Sequence, residues 1–203
     1  EYLRTQGIKT LRLYSYSHSE SLYERLGFIK EGTFGLFTAT PSLNTSRIER
    51  KEEGIKANLL TTDEINFRKL VELDEKCFGA NRRKMLISMI QDKKAVSFVQ
   101  VAKKDIDQIF GYVVASTSED ECEIGPMVCD PKQEDAATEL IEAVMNHFSA
   151  KKFSLAMSMN NSSSVRVLHG LGFEKMIQVQ KMRKGRNLYN GKPTWIFGVG
   201  GLE

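Results

Sequence analysis

A Gly-Pro pair, Gly125-Pro126, interrupts the strand-like run Cys122–Cys129. Proline cannot donate to a ladder, and glycine inside a strand marks a bulge or a close backbone approach. This spot therefore either turns a sheet or leaves backbone groups free for a ligand. Just beyond it, Asp130-Pro131-Lys132-Gln133-Glu134-Asp135-Ala136-Ala137 opens a helix. Helix starts attract anions through their free N–H groups. This one has no glycine, and its acidic side chains steady the helix while repelling an incoming phosphate. Arg82 and Arg83 follow Phe78-Gly79 between two helical patterns. An arginine there either grips a carboxylate through two parallel hydrogen bonds or sits on the surface beside a helix cap. Tyr23 offers a phenol that is either a proton donor or a core side chain with a wet hydroxyl. Cys77 has no His or Asn pattern beside it and reads as a small apolar filler. His18, His147 and His169 are scattered and make no metal constellation.

The elements that must position these groups follow from periodicity. Glu1–Gly7 reads as the last turns of a helix ending on glycine, so the sequence is expected to open inside an element. Ile8–Tyr16 is a strand, and Ser17 or Ser19 caps a short helix that stops at Gly27. Phe28–Thr40 is a bent strand, and Pro41–Gly54 a polar linker with a short strand in it. Ile55–Leu60 can be a strand, with Thr61 and Glu64 forming a capping box. The helix that follows carries Phe67, Leu70, Val71 and Asp74 on one face, and a second helix starts near Asn81. Ala95–Ala102, Gln108–Ser116 and Glu121–Cys129 are strands. Asp130 is expected as N-cap, with Pro131 at the first position of a helix running to about Ala150. Phe153–Met159 is a strand, and Asn160–Ser163 caps a helix Ser164–Leu171. Phe173–Arg183 and Thr194–Val199 are expected to pair as a hairpin through Asn190-Gly191.

Two stretches of the chain repeat each other. Leu22-Tyr23-Glu24-Arg25-Leu26-Gly27-Phe28 and Val167-Leu168-His169-Gly170-Leu171-Gly172-Phe173 each follow a strand and a polar cap. The offset of about 145 residues is that of a duplicated domain, far above the ~20–50 of solenoids. The copies differ at one chemically informative place: Tyr23 in the first is Leu168 in the second.

The element order, together with Tyr23-Glu24-Arg25-Leu26-Gly27-Phe28, resembles the GNAT acetyltransferase superfamily and its closing Y-x-x-x-G-F motif. Residues 55–203 are further similar to the C-terminal domain of tandem GNAT proteins. The matching stretches are Asp74–Arg82, Glu123–Met127, Asn161, Leu171–Phe173 and Lys181–Gly185. The resemblance implies a mixed, mostly antiparallel α/β (α+β) sheet with helices on both faces and splayed central parallel strands. It implies two units, residues 1–54 as the C-terminal part of a first and 55–203 as a complete second. It also implies acetyl transfer from acetyl-CoA, a co-substrate, to an amine of a small molecule or peptide, without a metal. Tyr23 would then protonate the departing thiolate. Ser17, Gly125, Pro126, Met127 and Asn161 would face the cofactor, and Phe78, Gly79 and Arg82 the acceptor. The missing glycines at 130–137 and the leucine at 168 place the chemistry in the first unit. They leave open that the second unit is a degenerate domain that binds a small ligand or dimerises.

Composition narrows the classes. The 203 residues carry 29 basic and 26 acidic side chains, a net charge of +3, with the signs interspersed, so no nucleic-acid partner is expected. The basic stretch Lys181, Arg183, Lys184, Arg186 reads as a solvated hairpin or an anion site. The three cysteines lack CxxC spacing, which argues against a zinc site or a disulfide framework and for a reduced, cytoplasmic setting. No apolar run approaches the ~20 residues of a membrane span, so no membrane partner is expected, and a homodimer is among the assemblies allowed.

Overall fold

The computed structural model describes residues 2–41, 58–59, 67–102 and 105–200. The linker between the two copies, the capping box at Thr61 and Glu64, and the 54/55 boundary lie outside the described residues.

After a short helix α1 (Tyr2–Thr5), the first copy contributes β1 (Thr10–Ser15), α2 (Glu20–Arg25) and β2 (Ile29–Ala39). The rest is β3 (Asn58–Leu59), α3 (Phe67–Phe78), α4 (Arg83–Ile90), β4 (Ala95–Ala102), β5 (Asp105–Ser118) and β6 (Glu121–Cys129). Then come α5 (Glu134–His147), β7 (Lys152–Ser158), α6 (Ser162–Gly170), β8 (Glu174–Gly185) and β9 (Ile196–Gly198). The strands form one nine-stranded sheet in the order β1-β8-β2-β7-β6-β5-β4-β3, with β9 beside β6. Among the described strands only β6 and β7 pair in parallel.

Strand alternation divides the core into two layers. Val96, Phe98, Val113, Leu155 and Met157 face α5 and α6, which bury Leu140, Ile141, Val144 and Leu168 on that side. Val99, Val101, Tyr112 and Val114 face α3 and α4, against Leu70, Val71 and Leu86. Helices thus cover both faces, and the mixed sheet matches the expected fold class.

Two expectations are corrected. The segment Asp130–Gln133 is a turn, not a helix start: Gln133 N–H donates to the Asp130 carbonyl at 2.8 Å. Asp130 Oδ1 accepts from Lys132 N–H at 2.9 Å. The helix opens only at Glu134, with Gln133 as N-cap. The second correction concerns β8 and β9, which do not pair. β8 lies between β1 and β2, and β2 lies between β8 and β7. The two copies therefore exchange strands: each copy's last long strand pairs with the preceding strand of the other. Phe34 and Val179, each six positions past the closing phenylalanine of its copy, are paired with each other, so a pseudo-twofold axis passes through them. Residues 55–203 alone do not form a continuous sheet, because β2 separates β7 from β8.

Candidate functional site

The parallel strands β6 and β7 are registered only over Glu121↔Lys152, Cys122↔Phe153 and Glu123↔Ser154. Beyond that they splay, at Gly125-Pro126, as the chemistry of that pair requires. The opening is filled from within the chain. β9 pairs with β6 through Met127↔Gly198 and Val128↔Ile196, and Val199 N–H donates to the Ala156 carbonyl of β7 at 2.9 Å. Asn161 fixes this wedge. Its amide donates to the carbonyls of Thr194 (3.1 Å) and Ile196 (2.8 Å), while its Oδ1 caps α6 by accepting from Ser164 N–H at 3.2 Å. The Ser164 hydroxyl adds a bond to the Phe197 carbonyl at 3.0 Å. A Cβ on Gly125 would lie 2.3 Å from the Gly200 nitrogen, so the glycine admits close backbone contact with the chain's own end. Gly125, Pro126, Met127 and Asn161 are thus brought together, around β9.

The neighbouring helix start adds no phosphate site. Arg166 is engaged by Glu134, its Nε donating to Oε2 at 3.4 Å and its Nη2 to Oε1, and the Arg166 hydrogen bond holds the Glu134 carboxyl below its usual range. Asp135 also stands in the first turn. Among the described residues, β9 takes up the backbone edge at Met127, Val128 and Ala156, and carboxylates stand at the helix start, so this cleft is a poor fit for a pantetheine with its pyrophosphate.

The residues expected at the acceptor site form a different cluster. Asp74, completely buried on α3, accepts from Arg82 Nε at 3.0 Å and Nη2 at 2.5 Å, and from the hydroxyl of Tyr112 on β5. The Arg82 guanidinium stacks 3.2 Å from the centre of the Phe78 ring. Burial, then the Asp74 charge, drives the Tyr112 pKa well above the ordinary tyrosine value. Arg82 is therefore a partner of Asp74 first, with its remaining N–H groups at the half-buried rim. Gly79 sits against the 190–191 backbone, where a Cβ would meet Asn190 Oδ1 at 2.7 Å. Tyr189 reaches the same corner and donates to the Cys77 carbonyl at 2.9 Å. The three cysteines are buried and free. Desolvation raises the Cys77 thiol to about 11 and Cys122 and Cys129 to about 12, which leaves them unreactive fillers.

Ser17 and Tyr23 flank the other end of the sheet. β1 is an edge strand, paired with β8 alone, so its outer backbone groups have no strand partner among the described residues. Ser17 begins an exposed 3₁₀ turn. Tyr23 is half-buried on α2, its ring edge-on to Phe28 with centroids 5.8 Å apart. Leu168, its counterpart, is completely buried in the core. On α2, Leu22 and Leu26 remain 48% and 51% exposed, so its apolar face is uncovered within the described chain.

Sequence reasoning did not single out Tyr112, Tyr14, Glu31 or the wedge. In the last case the only signal was the run of small residues Gly198-Val199-Gly200 opposite Gly125. No group of ligands able to hold a metal ion occurs among the described residues, and no helix there is long and apolar enough to cross a membrane.

Comparison with known proteins matches residues 70–198 to the model of an acetyltransferase (GNAT) domain. No curated protein sequence matches. Among solved structures, an acetyltransferase candidate from Pyrococcus horikoshii is similar with a TM-score of 0.72 at 18% identity, over 96% of this chain and 59% of that one. A GCN5-related N-acetyltransferase from Sphaerobacter thermophilus gives 0.65 at 18%, over 90% and 61%. A tandem GNAT protein from the clavulanic acid biosynthesis pathway gives 0.62 at 13%, over 90% and 66%. The chain thus spans about six-tenths of the length of these structures.

Proposed function

The chain belongs to the GNAT acetyltransferase family, and on that premise we propose that it serves the transfer of an acetyl group from acetyl-CoA to an amine, with the chemistry in the copy that holds Tyr23. The observation that carries this division is the asymmetry of the two clefts. In the second copy β9 occupies the splay between β6 and β7, and acids stand at the helix start. In the first, the outer edge of β1 has no strand partner among the described residues, and a half-buried tyrosine takes the place of a buried leucine. The acceptor nitrogen would attack the thioester carbonyl, forming the C–N bond as the C–S bond breaks and giving up its own proton to solvent. The Tyr23 hydroxyl would deliver its proton to the departing thiolate, while Ser17 and the β1 edge orient the donor. The second copy serves as a non-catalytic partner that completes the sheet and the face on which the acceptor lies.

The test is thiol release by the full-length protein with a panel of amines. Tyr23→Phe is expected to lower turnover by roughly 10²–10⁴-fold with CoA affinity nearly unchanged. Leu168→Ala should act through packing alone, at about 2–5 kcal/mol of stability. Full turnover by Tyr23→Phe, or CoA-dependent hydrogen-exchange protection in β6, β7 and β9 in place of β1, would reject the assignment.

A further inference from the structure

The strand exchange creates a cluster on one face of the sheet, made of residues from both copies. Tyr14 on β1, Lys181 on β8 and Gly32 on β2 are directly paired in one row across three strands. Their side chains therefore share a face. The Lys181 ammonium lies 5.4 Å from the centre of the Phe34 ring, and the Tyr14 ring is 5.1 Å from the same phenylalanine.

The row next to it is electrically complete. Glu31 accepts from Arg12 Nε at 2.9 Å and Arg183 Nε at 2.6 Å. Desolvation works upward on Glu31, but those hydrogen bonds outweigh it and hold its carboxyl below the usual range. Lys181 has no such partner: among the described residues it donates no hydrogen bond and forms no ion pair, although it is half-buried. Burial lowers its pKa, Arg12 adds to the effect, and Glu31 opposes it. The half-buried Tyr14 hydroxyl is likewise without a hydrogen-bond partner there. Gly32 supplies a floor without a side chain, and the Asn160 amide nitrogen stands 3.4 Å from where a Cβ on Gly32 would lie. A partly desolvated ammonium without a direct ion pair is costly to keep, and among the described residues the Glu31 charge in the next row is the influence that favours it, while Tyr14 shares its row.

We infer that Lys181 and Tyr14 form an anion-binding subsite that takes the carboxylate of the acceptor. One ammonium and one phenol supply a donor for each carboxylate oxygen. The location fits an acceptor, because this face runs on to the end of α3: Arg12 Nη2 donates to Asn187 Oδ1 at 3.1 Å, and Tyr189, two residues on, donates to the Cys77 carbonyl. The acceptor class is then an amine that also bears a carboxylate, such as an amino acid or a peptide with a free C-terminus. The word acceptor rests on the acetyl-transfer reading; anion binding itself does not.

The experiment titrates N-acetylglycine into the full chain, with no acetyl-CoA present, followed by amide chemical shifts. Inorganic phosphate is run in parallel. Saturable shifts around β1 and β8 are expected. Lys181→Met should weaken binding by about tenfold or more, the usual loss for a charge-assisted bond. Lys181→Arg, which keeps the charge, should retain more binding than Lys181→Met. The melting temperature of Lys181→Met should be unchanged or higher, because a desolvated charge is removed, so lost binding cannot be blamed on unfolding. Non-saturable shifts, equal binding by Lys181→Met, or binding of phosphate without N-acetylglycine overturn the carboxylate subsite. In turnover assays glycine should be preferred to glycinamide through KM, and Lys181→Met should erase the preference. Amines acetylated with no such preference would overturn the acceptor role and leave acetyl transfer standing.

Discussion

Replacing Asp74 is the most severe single test of how the corner between α3, α4 and β5 is held. The carboxylate is completely buried and accepts from Arg82 Nε, Arg82 Nη2 and the Tyr112 hydroxyl. Asp74→Ala strands both partners. The Tyr112 phenol is wholly buried, and the Arg82 side chain is only 20% exposed. Removing one member of a buried ion pair costs about 3–5 kcal/mol, because the other charge stays behind without compensation. Domains have about 5–15 kcal/mol in all, so about a fifth of the stability at the least is at stake. With a urea slope near ~2.5 kcal/mol/M, the midpoint should fall by about 1–2 M. Tyr112→Phe keeps the ring and loses one bond to a charged acceptor, about 1.5–3 kcal/mol. In the double variant the two losses should fall short of their sum by about 1 kcal/mol or more, since both act on Asp74 Oδ1. Urea melts of the three variants measure all of this. A midpoint shift below about 0.3 M for Asp74→Ala, or strict additivity, would refute the claim that these groups form one buried network.

The alkaline limb of stability should report the buried phenols. Tyr112 is raised well above 10.0 by burial, and Tyr189 reaches about 12 through burial and then Cys77. Groups whose folded pKa is raised stabilise below the unfolded value and lose that contribution as pH climbs toward the folded one. The three buried thiols, raised from 9.0 to about 11–12, add to this in the same direction. Urea midpoints should therefore hold below about pH 8.5 and fall from there to about pH 12, and a flat profile across that window would be contrary. Gly125→Ala should expel the wedge, since its Cβ would lie 2.3 Å from the Gly200 nitrogen and the backbone there has φ of +147°. The emission of Trp195, which leads into β9, should shift to the red, and an unshifted spectrum would show that β9 stays docked.

Much of the second copy was legible from local chemistry. The runs Ala95–Ala102 and Glu121–Cys129 are strands with the expected ends, because β-branched residues and flanking turns leave few alternatives. Gly125-Pro126 marked where parallel pairing stops, because a proline in a central ladder has few other meanings. The strand partners were not legible. β8 and β9 are adjacent in sequence with a suitable turn between them, yet β2 takes the place at β8. β2 has 11 residues and β9 has three, and a longer strand satisfies more backbone groups along both neighbours. No local pattern encodes that competition between segments more than a hundred positions apart. The role of Arg82 was hidden for a related reason. Asp74 lies eight positions earlier across a helix end, and Tyr112 on another strand, so their meeting is a property of packing.

The strand exchange bears directly on where chemistry can occur. It sets the ends of β1 and β7 at opposite sides of a four-strand block, β1-β8-β2-β7, with the pseudo-twofold in its middle. The outer edge of β1 and the β6-facing edge of β7 therefore face away from the axis, while the residues near the axis come from both copies. A cleft beside β7 and a cleft beside β1 would be equivalent by that symmetry. Beside β7 that place is taken by β9, which pairs with β6 and bonds to β7, while beside β1 no described strand takes it. The same asymmetry runs through the side chains, as buried Leu168 answers half-buried Tyr23, and acids at Glu134 and Asp135 stand at the second copy's helix start. A wedge that takes up the free backbone edge removes the need for glycines at that helix start and for a phenol on α6. On this reasoning the glycine-free sequence at 130–137 and the leucine at 168 are consequences of a closed cleft.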